Sequence, residues 1–86
     1  MSKEINDLSA DELYILIGKN VARLRKKANL SQLDLSLEMG NKSTSLISSA
    51  ELYTKKRKFN IAQLQKIAKI LDIDICEFFK PIEKAK

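Results

Sequence analysis

The sequence of 86 residues predicts a single all-α domain with five helices. Only two glycines and one proline interrupt the chain. Its apolar residues recur three and four positions apart, as the buried face of a helix requires, rather than at every second position as in a strand. The length is typical of one small domain, whose core leaves little room for a deep substrate cleft.

The first helix is expected to begin at Ser9, which forms with Glu12 the pattern of a capping box, where each side chain binds the other residue's backbone N–H. An apolar stripe follows at helical spacing: Leu13, Leu16, Ile17, Val21, Leu24 and Ala28. Gly18 inside this helix costs about 1 kcal/mol relative to alanine. We therefore expect another helix to pass close to Gly18.

Three later helices start with a similar pair of polar residues: Ser31 and Asp34 for helix 2, Asn60 and Gln63 for helix 4, Asp74 and Glu77 for helix 5. Gly40 suits the end of helix 2, because glycine readily adopts the left-handed conformation found there. The apolar residues of helix 4 keep helical spacing: Ile61, Leu64, Ile67, Ala68 and Leu71. Helix 5 is short and holds Ile75, Phe78 and Phe79.

Helix 3 starts differently from the other four. It is expected to begin near Ser43 or Thr44, after a turn at 41–43, and to end near Leu52 or Tyr53. Its first turn contains no acidic residue. The positive end of its dipole is therefore available to an external anion.

The helices define one domain at 9–79, between an N-terminal segment at 1–8 and a C-terminal tail at 80–86. The longest apolar run is far shorter than the ~18 residues of a membrane span, and the first residues lack the apolar stretch of a signal peptide. The single cysteine, Cys76, cannot form an internal disulfide and is expected to be half-buried. We expect a cytoplasmic protein.

The absence of histidine removes several kinds of catalytic and metal site. Without imidazole there is no histidine general base, no Cys–His nucleophile and no zinc site of the histidine-containing kinds. The sequence therefore predicts a binding protein rather than an enzyme, with no catalytic residue, metal or cofactor.

Two short basic clusters carry more than the whole net charge of +5, and the rest of the chain sums to −3. The clusters are Arg23, Arg25, Lys26 and Lys27, and then Lys55, Lys56, Arg57 and Lys58. One basic run alone is equally typical of a solvated face. Two runs around helices 2 and 3 favour a polyanion, because phosphate neutralisation drives nucleic-acid binding. A membrane surface is the weaker alternative, since the second run has no apolar stripe.

A short helix, a glycine turn and a helix entered by small polar residues form the plan of a helix-turn-helix. The residues that carry a closer resemblance are Leu30-Ser31-Gln32, Leu35, Met39-Gly40, Ile47-Ser48, Glu51, Leu64, Ile67-Ala68, Leu71, Ile73 and Glu77-Phe78-Phe79. They resemble the phage repressor/Cro (XRE-type) helix-turn-helix family over roughly 14–79. The resemblance implies a five-helix repressor-like fold and a homodimer that binds a pseudo-palindromic operator in double-stranded DNA, with helix 3 in the major groove.

The resemblance also implies roles for individual residues. The positions at which family members contact bases are matched by Thr44, Ser45, Ser48 and Ser49. The positions at which they contact phosphates are matched by Gln32, Ser43, Lys55, Lys56, Arg57 and Lys58. Arg25 and Glu51 match an internal ion pair between helices 1 and 3. Gln32 and Glu51 are 19 positions apart, one more than is usual in the family, so the extra residue is expected in the turn at 41–43.

Four apolar residues suggest a dimer or partner surface. Leu33 and Leu37 lie four apart on helix 2, where they either widen the core toward segment 5–8 or bind a partner. So short a helix cannot bury the side chains of both Phe78 and Phe79, so one is expected to close the core and the other to pack across a dimer axis.

The alternative function is an antitoxin-like protein-interaction module whose helix 3 reads bases weakly.

Overall fold

A computed structural model describes residues 4–82 of the chain. All regular secondary structure in this range is helical. The α-helices are α1 (Ala10–Lys27), α2 (Gln32–Glu38), α3 (Ser45–Leu52) and α4 (Ile61–Leu71), and the 3₁₀ helices are Ile5–Asp7, Thr54–Lys56 and Ile75–Phe79. The all-α prediction is confirmed. The short fifth helix expected after Asp74 is a 3₁₀ helix rather than an α-helix, so the structure has four α-helices in the described range. Parts of the expected N-terminal segment and tail, residues 1–3 and 83–86, lie outside the described residues.

The capping signals place the helix starts correctly. Reciprocal capping boxes are present at α1, α2 and α4, through Ser9 with Glu12, Ser31 with Asp34 and Asn60 with Gln63. At the last helix the Asp74 side chain accepts from the N–H of Cys76, two residues further on, at 2.9 Å. This shorter loop is an Asx turn, which suits the tighter winding of a 3₁₀ helix.

The end of α2 sets the turn toward α3. Gly40 has φ +86°, and its N–H donates to the carbonyl of Leu37 at 3.0 Å, while the N–H of Asn41 donates to the carbonyl of Ser36 at 2.9 Å. This pair of bonds is the Schellman motif. The ammonium of Lys66 on α4 donates to the Met39 carbonyl at 3.2 Å, which satisfies a further carbonyl at the negative end of the α2 dipole.

The core lies where α1 packs against α3 and against the 3₁₀ helix Ile75–Phe79, while α2 contacts α3 and α4. Its buried apolar residues are Ile17, Val21, Leu24, Leu35, Met39, Ile47, Ala50, Phe59, Leu64, Ile67, Ala68 and Phe78. Three expectations are wrong. Ile61 is 67% exposed at the first position of α4, ahead of the core; Ala28 is exposed just after α1; and Cys76 is exposed rather than half-buried.

The close approach expected at Gly18 is confirmed. A Cβ added to Gly18 would lie 2.5 Å from the carbonyl oxygen of Glu51 and 2.7 Å from that of Ala50. Only glycine admits this backbone-to-backbone contact, which fixes the distance between α1 and the C-terminal half of α3.

Candidate nucleic-acid interface

The N-terminus of α3 carries small hydroxyl residues. Thr44 is the N-cap residue, and its side chain makes no capping hydrogen bond within residues 4–82. The hydroxyl of Ser43 takes over part of that role, because it accepts from the N–H of Ser45 at 3.4 Å and also contacts the Ser45 hydroxyl at 3.2 Å. With no acid in its first turn, this end of α3 keeps its attraction for an anion.

The other predicted base contacts lie along the same helix. Ser45 is exposed, and Ser48 and Ser49 are half-buried. The hydroxyl of Ser48 donates to the Ser45 carbonyl at 3.3 Å, one turn earlier, so its oxygen could serve a base only as an acceptor while this bond is kept. Hydroxyl groups of this kind accept from or donate to several base edges, and each contact is less discriminating than a bidentate one.

The segment 53–58, the basic loop, follows α3 directly and carries four exposed cations: Lys55, Lys56, Arg57 and Lys58. Arg57 lines the same concave surface as Gly40–Ser43, Ser45 and Leu46. The fold therefore places Arg57 beside the N-terminus of α3, although 12 positions separate Arg57 from Ser45 in the sequence. Positive charge and free helix dipole meet at one place on the surface.

An ion pair holds the other end of α3. The guanidinium of Arg25 donates from Nε to Oε2 of Glu51 at 2.7 Å and from Nη2 to Oε1 at 3.1 Å, and Nη1 donates to the Leu30 carbonyl at 2.8 Å. Both residues are buried, with side chains 7% and 3% exposed for Arg25 and Glu51. The expected pair is present, and its bidentate geometry holds α1 and α3 in one orientation.

Gln32 joins this ion pair. Its Nε2 donates to Oε1 of Glu51 at 3.0 Å, so its amide is oriented by the protein. The two side chains meet although 19 positions separate Gln32 from Glu51 in the sequence. A phosphate contact by Gln32 remains a prediction, and it would use the half-buried side chain in this fixed orientation.

Three residues that sequence reasoning missed hold the basic loop against α1. The rings of Tyr14 and Tyr53 stack with centroids 5.7 Å apart, and the hydroxyl of Tyr53 donates to Oδ1 of Asp11 at 2.6 Å. This hydrogen bond raises the pKa of Tyr53 to about 12. The ammonium of Lys58 lies 4.8 Å from the centroid of the Tyr14 ring. No sequence pattern identifies this contact, because Tyr14 and Tyr53 lie 39 positions apart.

The predicted partner surface is only partly on the surface. Leu33 and Leu37 are 48% and 57% exposed. The groove that Ile5 and Leu8 line is formed with α1 and the C-terminal residues Pro81 and Ile82, not with α2, so the wider core stripe is wrong. Phe78 is completely buried, because its ring fills the core below α1, and it is not a surface residue.

Phe79, the neighbour of Phe78, is half-buried and packs against the edge of the core.

Within residues 4–82 no helix is both long and apolar enough to span a membrane. Over the same range no three His, Cys, Asp or Glu side chains come close enough to hold a metal ion. The candidate interface is the surface formed by the N-terminus of α3 and the basic loop.

A helix-turn-helix family model matches residues 21–78, which covers the ion pair, both helices of the motif, the basic loop and α4. No curated protein shows significant similarity to the chain. The match spans well over half of the sequence and agrees with the observed order of α2, turn and α3. The chain belongs to the XRE-type helix-turn-helix family, whose domain is that of DNA-binding regulators.

Proposed function

We propose that this protein is a small transcriptional regulator that binds double-stranded DNA sequence-specifically, with α3 inserted in the major groove. The observation that carries the proposal is the meeting of the acid-free N-terminus of α3 with Arg57 of the basic loop on one concave surface. A phosphate placed there would face both a helix dipole and a cation.

Base recognition would come from Thr44, Ser45, Ser48 and Ser49. These side chains read base edges with single hydrogen bonds, whereas Arg, Asn and Gln give bidentate contacts worth ~1–3 kcal/mol each. Specificity would therefore depend strongly on phosphate geometry and DNA shape. We further propose that the protein binds a pseudo-palindromic operator as a homodimer, since the spacing of two half-sites adds specificity that one short helix lacks. We place its action in the cytoplasm.

Salt dependence tests the phosphate contacts. We expect the affinity for duplex DNA to fall steeply with salt, and Lys56→Ala and Arg57→Ala each to reduce the slope of log K against log[salt] by about 0.9. The matched control is Lys27→Ala, since Lys27 lies in a different groove, beside Asp74 and Glu77. Affinity that stays constant between low and moderate salt would contradict the phosphate contacts.

In-vitro selection from random duplexes tests sequence specificity. We expect the unmodified protein to enrich a palindromic motif at moderate salt. The double variant Thr44→Ala/Ser45→Ala should enrich a different motif, because it removes the hydroxyls at the start of α3 while leaving the basic loop unchanged. If no motif is enriched, the protein is not a sequence-specific regulator.

One observation favours a second candidate, a protein-interaction module. Leu33 and Leu37 are about half exposed and lie one helical turn apart on α2, so they present an apolar pair to solvent. In this role the helix-turn-helix would act as a scaffold with weak base reading. Failure of the selection experiment combined with loss of a protein complex in Leu33→Ser/Leu37→Ser would favour the module over the regulator.

A further inference from the structure

Both ends of the basic loop contact a single aromatic ring on α1. At the start of the loop the ring of Tyr53 stacks on Tyr14 at 5.7 Å, with an angle of 23° between the planes. At its end the ammonium of Lys58 lies 4.8 Å from the centroid of the same ring. Both ends of the basic loop are thus attached to Tyr14, and Lys55, Lys56 and Arg57 lie between the two points of attachment.

The first attachment is strengthened by a hydrogen bond. The hydroxyl of Tyr53 donates to the Asp11 carboxylate at 2.6 Å. Because the acceptor is charged, this bond is stronger than one between neutral groups. The bond therefore attaches the Tyr53 side chain to α1 at a second point, beside its stacking contact with Tyr14.

The loop backbone needs such support. Tyr53, Lys55 and Lys56 have φ of 55°, 52° and 60°, the left-handed conformation that side chains other than glycine seldom adopt. Strained positions of this kind persist only where surrounding contacts hold them, and they concentrate where a protein positions groups for a ligand. Here the strained residues include two of the three lysines in the loop.

We propose that Tyr14, together with Tyr53 and Asp11, is a clamp that positions Lys55, Lys56 and Arg57 for phosphate. Tyr14 does not contact the ligand; it acts through the loop. Lys58 belongs to the clamp, because its charge is held over the ring, and the other three cations form the phosphate grip. This inference rests on the proposed DNA binding. The clamp orders the loop before the ligand arrives, which reduces the entropy lost on binding.

The test is a double-mutant comparison with random-sequence duplex DNA at low salt. Tyr14→Leu removes both ring contacts, and we expect the affinity to fall about threefold to tenfold. Tyr14→Phe keeps the ring and is the matched control, with affinity unchanged. In a second background that carries Lys55→Ala, Lys56→Ala and Arg57→Ala, Tyr14→Leu should cause no further loss.

Three results separate the clamp from other roles. An equal loss in both backgrounds would overturn the clamp, because Tyr14 would then act on the fold as a whole. Normal binding by Tyr14→Leu would also overturn it. If the unmodified protein binds no duplex, the proposed DNA binding is wrong, and so is the phosphate role of the loop. If the unmodified protein binds DNA but Tyr14→Leu has no effect, only the clamp is wrong.

Tyr53→Phe serves if Tyr14→Leu does not fold, since it removes only the hydrogen bond to Asp11. We expect lower backbone order parameters for residues 54–57 in this variant, measured by NMR on the free protein, and weaker DNA binding. Unchanged order parameters together with unchanged affinity would overturn the role of the Tyr53 hydroxyl in the clamp.

Discussion

Glu51 accepts hydrogen bonds from side chains on two other helices, Arg25 of α1 and Gln32 of α2. One carboxylate on α3 therefore joins three helices. Burying two opposite charges contributes little net stability, but removing either partner leaves an uncompensated charge inside the protein. The main consequence is orientation: the C-terminal half of α3 is fixed, and its N-terminal half is presented to solvent.

Ser36 shows what the packing of α2 requires. Its side chain has zero exposure, and its hydroxyl has no hydrogen-bond partner among the described residues. An unsatisfied buried hydroxyl costs free energy, because the group has lost its hydrogen bonds to water and gained none in the protein. The hydroxyl of Ser36 is thus unfavourable for stability.

We predict that Ser36→Ala raises the free energy of unfolding by about 1 kcal/mol, because it removes a buried unsatisfied group and adds helix propensity. Chemical denaturation measures the change. Ser36→Val is the control, since overpacking should lower stability by about 1–3 kcal/mol. A less stable Ser36→Ala variant would mean that the hydroxyl has a partner, such as a buried water.

At the scale of elements, the boundaries of the helices were the most predictable feature. Capping residues act through bonds within four positions, so Ser9, Ser31 and Asn60 are readable from the sequence. The helical type of Ile75–Phe79 was not readable, because five residues are too few for their spacing to distinguish α from 3₁₀ winding. The contact at Gly18 was predictable in kind, since an unfavourable helical glycine needs a packing reason, but not in its partner.

We predict that Gly18→Ala lowers the free energy of unfolding by about 1–3 kcal/mol, although helix propensity alone favours alanine by about 1 kcal/mol. The added Cβ would meet backbone carbonyl oxygens at 2.5 and 2.7 Å, and these atoms cannot rotate away as a side chain would. Relief would require α3 to move away from α1, against the buried ion pair.

Urea unfolding of Gly18→Ala measures this effect. Ala22→Gly, one turn further along α1, is the matched control, and it should lose about 1 kcal/mol from propensity alone. Opposite substitutions four residues apart would then both destabilise the protein. A Gly18→Ala variant as stable as the native chain would show that α1 and α3 separate easily.

At the scale of the whole molecule, the sequence predicted which surface carries charge but not what supports it. A run such as 55–58 is visible because its members are adjacent. Its support comes from Asp11 and Tyr14, about forty positions earlier, and a contact at that distance leaves no periodic signal. The role of buried Asn20 was also missed. Its partners are distant in the sequence, and they are backbone carbonyls, which every residue possesses.

Asn20 attaches the C-terminal part of the fold to α1. Its Nδ2 donates to the carbonyls of Phe78 and Lys80, both at 2.8 Å, and its Oδ1 accepts from Arg23 at 3.1 Å. These bonds hold the 3₁₀ helix Ile75–Phe79 over the core and so keep Phe78 buried. Stability at this end of the fold and the proposed DNA binding by α3 involve different elements, and we expect them to be separable.

We predict that Asn20→Ala lowers the free energy of unfolding by about 2 kcal/mol, since it leaves the buried carbonyl of Phe78 and the partly buried carbonyl of Lys80 without this donor. Hydrogen exchange should show residues 75–80 opening before the rest of the chain. Asn20→Asp, which keeps the volume but turns an oxygen toward both carbonyls, should destabilise at least as much. The folded fraction of each variant should retain native DNA affinity, because Thr44, Ser45 and the basic loop are unchanged. Native protection of residues 75–80 in Asn20→Ala would mean that apolar packing of Phe78, rather than the amide, holds this end of the fold closed.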